Sequence, residues 1–295
     1  MIRIREVVYV VAIGLFWGLN WPAVKTILSE VPPWTLPAGG LSLGALCLLG
    51  LTVLSRQTLK VDRSEMLWLA VAGLFTVYGF NIFAAFGQLF TATSTATIVA
   101  FTMPMWAMML SALFLGERIT LPRLASLTLG LVGLLVLVSE DLAAILSRPK
   151  GILFMLGAAM SWAIGTVVLK ARPWTVEPLA RTTWLVGIAA IPMIVGAFLF
   201  EHPLDLPTPS QKVLAVFAYH VVFPMVVCHA AWVNLVDRLP ASVAAIGTLL
   251  IPIVGVFSST LLLGDHLTWQ KNLALALVLS SIVLTLLKQP KPART

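Results

Sequence analysis

The sequence predicts an all-α integral membrane protein: ten transmembrane helices as two inverted five-helix repeats, with N- and C-termini cytoplasmic. Three observations predict it. The 295-residue chain is 59% hydrophobic and only 11% charged, with mean hydropathy +0.99, whereas soluble domains carry roughly 25% charged residues. The apolar residues fall into ten runs of about 18–25 residues, each long enough as a helix to cross an apolar layer about 30 Å thick. These runs do not alternate, as the strands of a membrane barrel would. Finally, the chain repeats itself: Trp17 and Lys25 recur as Trp162 and Lys170, shifted by 145 residues.

Taken in order, the first run, 7–28, follows Arg3 and Arg5 as a signal peptide would. It passes through to Leu28 without a small-residue cleavage site and reads as a membrane span. It puts Trp17, Asn20, Trp21 and Val24 on one face by i, i+3, i+4, i+7 spacing. The second run, 36–54, carries Gly40 and Gly44, a spacing shared by Gly14 and Gly18 that lets helices of one bundle approach closely. The third, 66–89, puts Tyr78, Asn81, Ala85 and Gln88 on one face. An unpartnered amide in hydrocarbon costs several kcal/mol, so both faces look inward. Asn20, Tyr78 and Asn81, near mid-depth, are expected to line a cavity, and Gln88, nearer an end, to be structural. The fourth run, 94–115, is broken by Pro104, which removes an N–H and frees carbonyls about a turn back. Phe101 and Thr102 are then placed to touch a polar cavity.

The fifth run, 121–139, carries Gly130 and Gly133. The sixth, 151–170, holds Gly157, Ser161 and Gly165 at close-packing spacing. It also holds Trp162, which either packs between helices or walls a cavity. The seventh is 179–200. The eighth, 212–235, carries His220 and His229. At about 100° per residue these face opposite ways unless Pro224 swings the helix. Each either bonds a backbone carbonyl or contacts cargo. The ninth, 242–263, is broken by Pro252, with Thr248 just before it, at the place matching Pro104; the pair of prolines reads as a hinge. The tenth is 269–287. Among the tryptophans, Trp34, Trp68, Trp174, Trp184, Trp232 and Trp269 fall near run ends, where indoles prefer the membrane interface.

Further anchors extend the repeat. Phe86-Gly87-Gln88-Leu89 recurs loosely as Trp232-Val233-Asn234-Leu235, and Pro104, Leu115-Gly116-Glu117 and Thr120 recur as Pro252, Leu263-Gly264-Asp265 and Thr268. The repeats span 7–139 and 151–287. Five is odd, so the second copy starts on the side where the first span ended and is inverted. Inverted repeats enclose a site between the halves, near the midplane. Of the 19 Lys and Arg, fourteen fall on the side that carries the N-terminus, which places both termini in the cytoplasm. The positive charge is thus a topology signal, not a nucleic-acid signal. Cys47 and Cys228 both lie inside spans and imply apolar packing rather than a disulfide.

An enzyme is disfavoured. The four histidines are scattered, no His-Glu-x-x-His or Gly-x-Ser-x-Gly motif occurs, and no phosphate-binding loop, metal site or cofactor motif is present. No row of polar side chains marks a channel. No Asp or Glu lies deep in a span, so the usual ion relay is missing, and a facilitated carrier is expected. Deep Trp17, Trp21, Trp106, Trp162, Tyr78 and Phe101 suit a planar cargo; Asn20, Asn81, Thr102 and Thr248 suit its polar end. That set fits a bulky amino acid and equally a flat organic cation, attracted by cation–π contact and exported in exchange for protons.

The run Ala112-Leu113-Phe114-Leu115-Gly116-Glu117-Arg118-Ile119-Thr120, followed by Gly130 and Gly133, resembles the end of an EamA-type repeat of the drug/metabolite transporter superfamily. Ser259 to Thr268 resembles its second copy, with Asp265 as the acid; there Val278 and Ser281 replace Gly130 and Gly133. Within the superfamily the chain looks most like the YddG-type aromatic amino-acid exporters. The resemblance implies a multi-pass protein of the bacterial inner membrane that exports amino acids by alternating access, working as a monomer in the lipid bilayer.

Overall fold

The computed structural model describes residues 4–91, 93–139, 149–263 and 268–287; Gly264, Asp265 and His266 therefore lie outside the described residues. All described secondary structure is helical. In chain order the helices are α1 (Ile4–Ile27), α2 (Thr35–Leu54), α3 (Arg63–Phe90), α4 (Thr93–Ala100), α5 (Met103–Leu115), α6 (Leu121–Val138), α7 (Pro149–Lys170), α8 (Pro178–Phe200), α9 (Gln211–Arg238), α10 (Ala241–Gly247), α11 (Leu250–Leu263) and α12 (Trp269–Leu287). Helices α1, α2, α3, α7, α8 and α9 are long and apolar enough to cross a membrane, and shorter apolar helices accompany them. Leu46, Leu54, Leu67, Leu153 and Phe200 stand exposed on outer faces, where lipid is the solvent that suits them.

The runs at 94–115 and 242–263 are each two helices rather than one kinked helix. Pro104 falls in the first turn of α5 and Pro252 in the first turn of α11, where a missing N–H forfeits no helical bond. The chain stops and restarts at both places. Thr102 N–H and Oγ1–H both donate to Val99 O, and Thr248 N–H and Oγ1–H both donate to Ala245 O. The two threonines thus close the helix ends.

Midway along α3 and α9 the backbone adopts π turns, at Leu74–Gly79 and Val221–Cys228. Each π turn holds an extra residue, so side chains beyond it are rotated from their α-helical positions.

The helix pairings have a pattern. Helix α1 lies against α9 and α11, and α7 lies against α3 and α5; α2 pairs with α8, and α6 with α12. Exchanging the first six helices for the last six leaves this set unchanged. Small residues make the approaches possible. A Cβ on Gly14 would sit 2.4 Å from Leu250 of α11, and one on Gly165 would sit 2.0 Å from Thr76 Oγ1. The departure at Val278 and Ser281 does not loosen α6 against α12. A Cβ on Gly133 would lie 2.9 Å from Val278, and Ser281 Oγ donates to Ser126 O. Side chains of one copy fill the hollows left by glycines of the other.

Acids and lysines close the helix ends. Gly116 ends α5 in the left-handed conformation, φ 64°, and delivers Glu117 to the start of α10. There the carboxylate accepts from Ala241 N–H and Ser242 Oγ–H. Glu201 accepts from Trp34 N–H, Thr35 N–H and Thr35 Oγ1–H at the start of α2. Lys25 Nζ donates to Gln88 O at the end of α3, and Lys170 Nζ donates to Val236 O and Asp237 O at the end of α9. Cations suit the negative ends of helices. Arg181, 2% exposed, is paired with Asp237 beside Trp174.

Candidate functional site

A cavity lies among α1, α2, α3, α7, α9 and the breaks preceding α5 and α11. Helix α1 supplies one wall. Its residues Trp17, Asn20, Trp21 and Val24 all line the space, as spacing on one helical face requires. Helix α3 supplies the facing wall with Thr76, Phe80, Asn81, Ala84, Ala85 and Gln88.

The floor is aromatic. Trp162 and Trp232 have ring centroids 4.3 Å apart, and Trp17 stands 6.4 Å from Trp232 and edge-on to His229 at 5.4 Å. Trp21 meets Phe101 edge-on at 6.1 Å. From this floor the cavity extends towards the end of α1 that carries Val24, past Leu36, Pro37 and Gln88. No residue from the opposite end of α1 or from the Lys170 end of α7 lines it.

Polar groups are few. Trp17 Nε1–H donates to Pro224 O at 3.2 Å, a carbonyl that also lies 2.9 Å from His229 Nδ1. Asn20 Oδ1 and His220 Nδ1 are 2.8 Å apart, and Asn81 Nδ2 donates to Val77 O at 2.8 Å. Gln88 Oε1 and Thr76 Oγ1 are buried without a hydrogen-bond partner among the described residues. Among the described residues, no Asp, Glu, Lys or Arg lines the space. An apolar hollow with convergent amides and imidazoles can hold a small zwitterion or an aromatic solute without a fixed counter-charge.

Of the residues singled out from sequence, Trp17, Asn20, Trp21, Asn81, Phe101, Trp162, His220 and His229 come together here. Tyr78, Thr102 and Thr248 do not. Tyr78 sits in the π turns of α3, which rotate it into an outer groove with Trp34 and Ile188. Thr102 and Thr248 have their hydroxyls on backbone carbonyls one turn back. Pro104 and Pro252 stand in the adjoining helix starts, outside the cavity lining.

The π turns of α9 also explain the histidines. Nine residues through widened turns close near two whole turns rather than about two and a half, so His220 and His229 share one face. Two residues depart from their expected places: Trp232 is 1% exposed, packed behind Trp162 and Trp17 rather than at an interface, and Gln88 lines the cavity. Met103, Met225 and Ile251 also line the cavity; nothing in their residue type marks them.

The EamA-like transporter family model matches residues 4–139 and 149–287 of this chain. A protein of Escherichia coli (strain K12) named a probable amino-acid metabolite efflux pump is 26% identical over 292 residues, covering 94% of this chain and 93% of that one. The uncharacterized transporter YoaV of Bacillus subtilis (strain 168) is 22% identical over 266 residues, covering 90% and 91%. A solved crystal structure shares the fold with TM-score 0.79 at 18% identity, covering 96% of both chains.

Proposed function

The chain belongs to the EamA-like transporter family and is a multi-pass membrane protein of transporter type; from that premise we propose that it carries amino acids with aromatic or other bulky apolar side chains out of the cell. On this reading the helices form ten spans in two inverted halves, 7–139 and 151–287, with both termini in the cytoplasm of a bacterial inner membrane. The pairing of helices, unchanged when the halves are exchanged, supports the repeat. One chain holds both halves of the site and works as a monomer: the glycines at close-packing spacing meet helices of the same chain.

The observation that carries the reading is the cavity itself. Trp17, Trp21, Phe101 and Trp162 offer planar surfaces to a side chain, while Asn20 and Asn81, with His220 and His229 beside them, make the polar part of the lining. The name of the Escherichia coli relative, an amino-acid metabolite efflux pump, supports the same class. The space runs towards one end of α1 alone, as a carrier caught open to one side requires. With the assigned topology that side is external. Without a carboxylate among the described lining residues the usual ion relay is missing, and on this reading cargo moves down its own gradient.

The test is counterflow in proteoliposomes containing only this protein. Radiolabelled phenylalanine should accumulate transiently in vesicles preloaded with unlabelled phenylalanine, with a protonophore making no difference. A cationic dye carried in preference, or uptake abolished by the protonophore, would replace this reading with proton-coupled export of organic cations. His220 and His229 would then be the titrating groups. Bilayer conductance far above carrier turnover would make the protein a channel.

A further inference from the structure

His220 is 1% exposed and its ring has two different neighbours. Nδ1 lies 2.8 Å from Asn20 Oδ1, while Nε2 is buried without a hydrogen-bond partner among the described residues. The Nε2 edge abuts Gly40 of α2, where an added Cβ would fall 2.8 Å from Nε2 and 3.0 Å from Cδ2. This contact settles the tautomer. If Nδ1 accepted from a reversed Asn20 amide, the neutral ring would carry its proton on Nε2, and a buried N–H would point at the Gly40 methylene. An unpaired buried donor is rarer and costlier than an unfilled lone pair. The proton therefore sits on Nδ1 and is donated to Asn20 Oδ1. Asn20 is held with its NH2 turned away from His220, and Nδ2 makes no hydrogen bond among the described residues.

We infer that His220, backed by Gly40, is a positioning residue that turns the Asn20 amide so that Nδ2 donates into the cavity, to the carboxylate of the cargo. Across the space, Asn81 is oriented the opposite way. Its Nδ2 donates to Val77 O, which leaves Oδ1 as an acceptor for the cargo ammonium. The two asparagines, on α1 and α3, give the cavity a donor side and an acceptor side. A zwitterion is thereby recognised through its two ends without a protein charge, and a planar amine without a carboxylate loses half of its contacts. The inference rests on the amino-acid reading above and names the residues that read the backbone of that cargo.

The experiment compares counterflow of phenylalanine with that of phenethylamine, which lacks the carboxylate, for wild type and variants reconstituted at equal density. Asn20→Asp keeps the side-chain shape but replaces the donor with an acceptor. It should lower phenylalanine counterflow by at least about tenfold while phenethylamine stays within about threefold of wild type. His220→Asn puts an amide nitrogen in the place of Nδ1 and should hold the phenylalanine-to-phenethylamine ratio within about threefold; His220→Leu should drop it about tenfold. Gly40→Ala, which displaces the ring, should lower the ratio as well and serves if His220→Leu is not produced. A purely structural role would reduce both cargos in parallel. Parallel loss, or an unchanged ratio in Asn20→Asp or His220→Leu, overturns the inference while leaving the carrier reading intact. A wild type that carries neither cargo overturns the amino-acid reading, and this inference with it.

Discussion

Single side chains divide the cavity between an apolar floor and a few directed polar atoms. Trp162 is 3% exposed, lines the cavity and lies against Trp232. Trp162→Ala should cut phenylalanine counterflow by about tenfold without reducing the amount of protein in the membrane; unchanged counterflow would assign Trp162 to packing alone. Trp232 sits beneath it, 1% exposed, with Nε1 buried and unpaired among the described residues. Trp232→Phe removes an unsatisfied donor and keeps an aromatic ring, so thermal unfolding in detergent should shift little. Trp232→Ala opens a cavity in the core and should cost about 3–5 kcal/mol. The two rings also mark what a sequence can say about depth. Trp162, like its repeat mate Trp17, lines the cavity. Trp232, close to the end of its run and so expected at an interface, is instead buried against Trp162 and Trp17, a contact between helices that its place in the run does not show.

At the scale of elements, the breaks before α5 and α11 and the π turns of α3 and α9 shape the site more than helix propensity does. The prolines announced the breaks. Nothing in Leu74–Gly79 announces a π turn, and the same apolar residues suit either winding; Tyr78 consequently lies outside the cavity that α-helical spacing predicts for it, whereas Asn81, Ala85 and Gln88 of the same predicted face do line it. Helix ends were more legible, because Leu115-Gly116-Glu117 is a stop followed by an acid. Glu117 is 15% exposed and caps α10 through Ala241 and Ser242. Glu117→Ala should lower stability by about 0.5–2 kcal/mol, as loss of a cap does, read as a lower unfolding temperature in detergent.

At another helix start, Glu30 accepts from Ser210 N–H and Ser210 Oγ–H. The bond from the Ser210 N–H, then that from its hydroxyl, hold the Glu30 carboxyl below its ordinary value of 4.5. A carboxyl with a lowered folded-state pKa stabilises above its unfolded value, and that contribution is lost as pH falls through the folded value. The gap in unfolding temperature between wild type and Glu30→Gln should therefore be present at pH 7 and shrink as pH falls below the ordinary value of 4.5; a gap that persists in strong acid would assign the effect to shape instead of charge.

For the whole molecule, the proposed transport requires two halves that exchange roles across the membrane. The ten apolar runs and the 145-residue shift were plain in the sequence because long apolar helices and repeated anchors leave a strong periodic record. The direction in which the cavity opens was not, since it is a property of packing between halves that the residues of either half alone do not carry. Val24 lines the cavity at one end of α1; shifted by the same 145 residues, Leu169 is 3% exposed at the end of α7 and away from the cavity. The most direct measurement is the labelling of Val24→Cys and Leu169→Cys, in a background lacking Cys47 and Cys228, by a membrane-impermeant maleimide applied to one side at a time. Val24→Cys should react only from outside and Leu169→Cys only from the cytoplasmic side, each shielded when the other is exposed. Reaction of both positions from the same side, or a Leu169→Cys that stays inert under every cargo condition, would contradict the account.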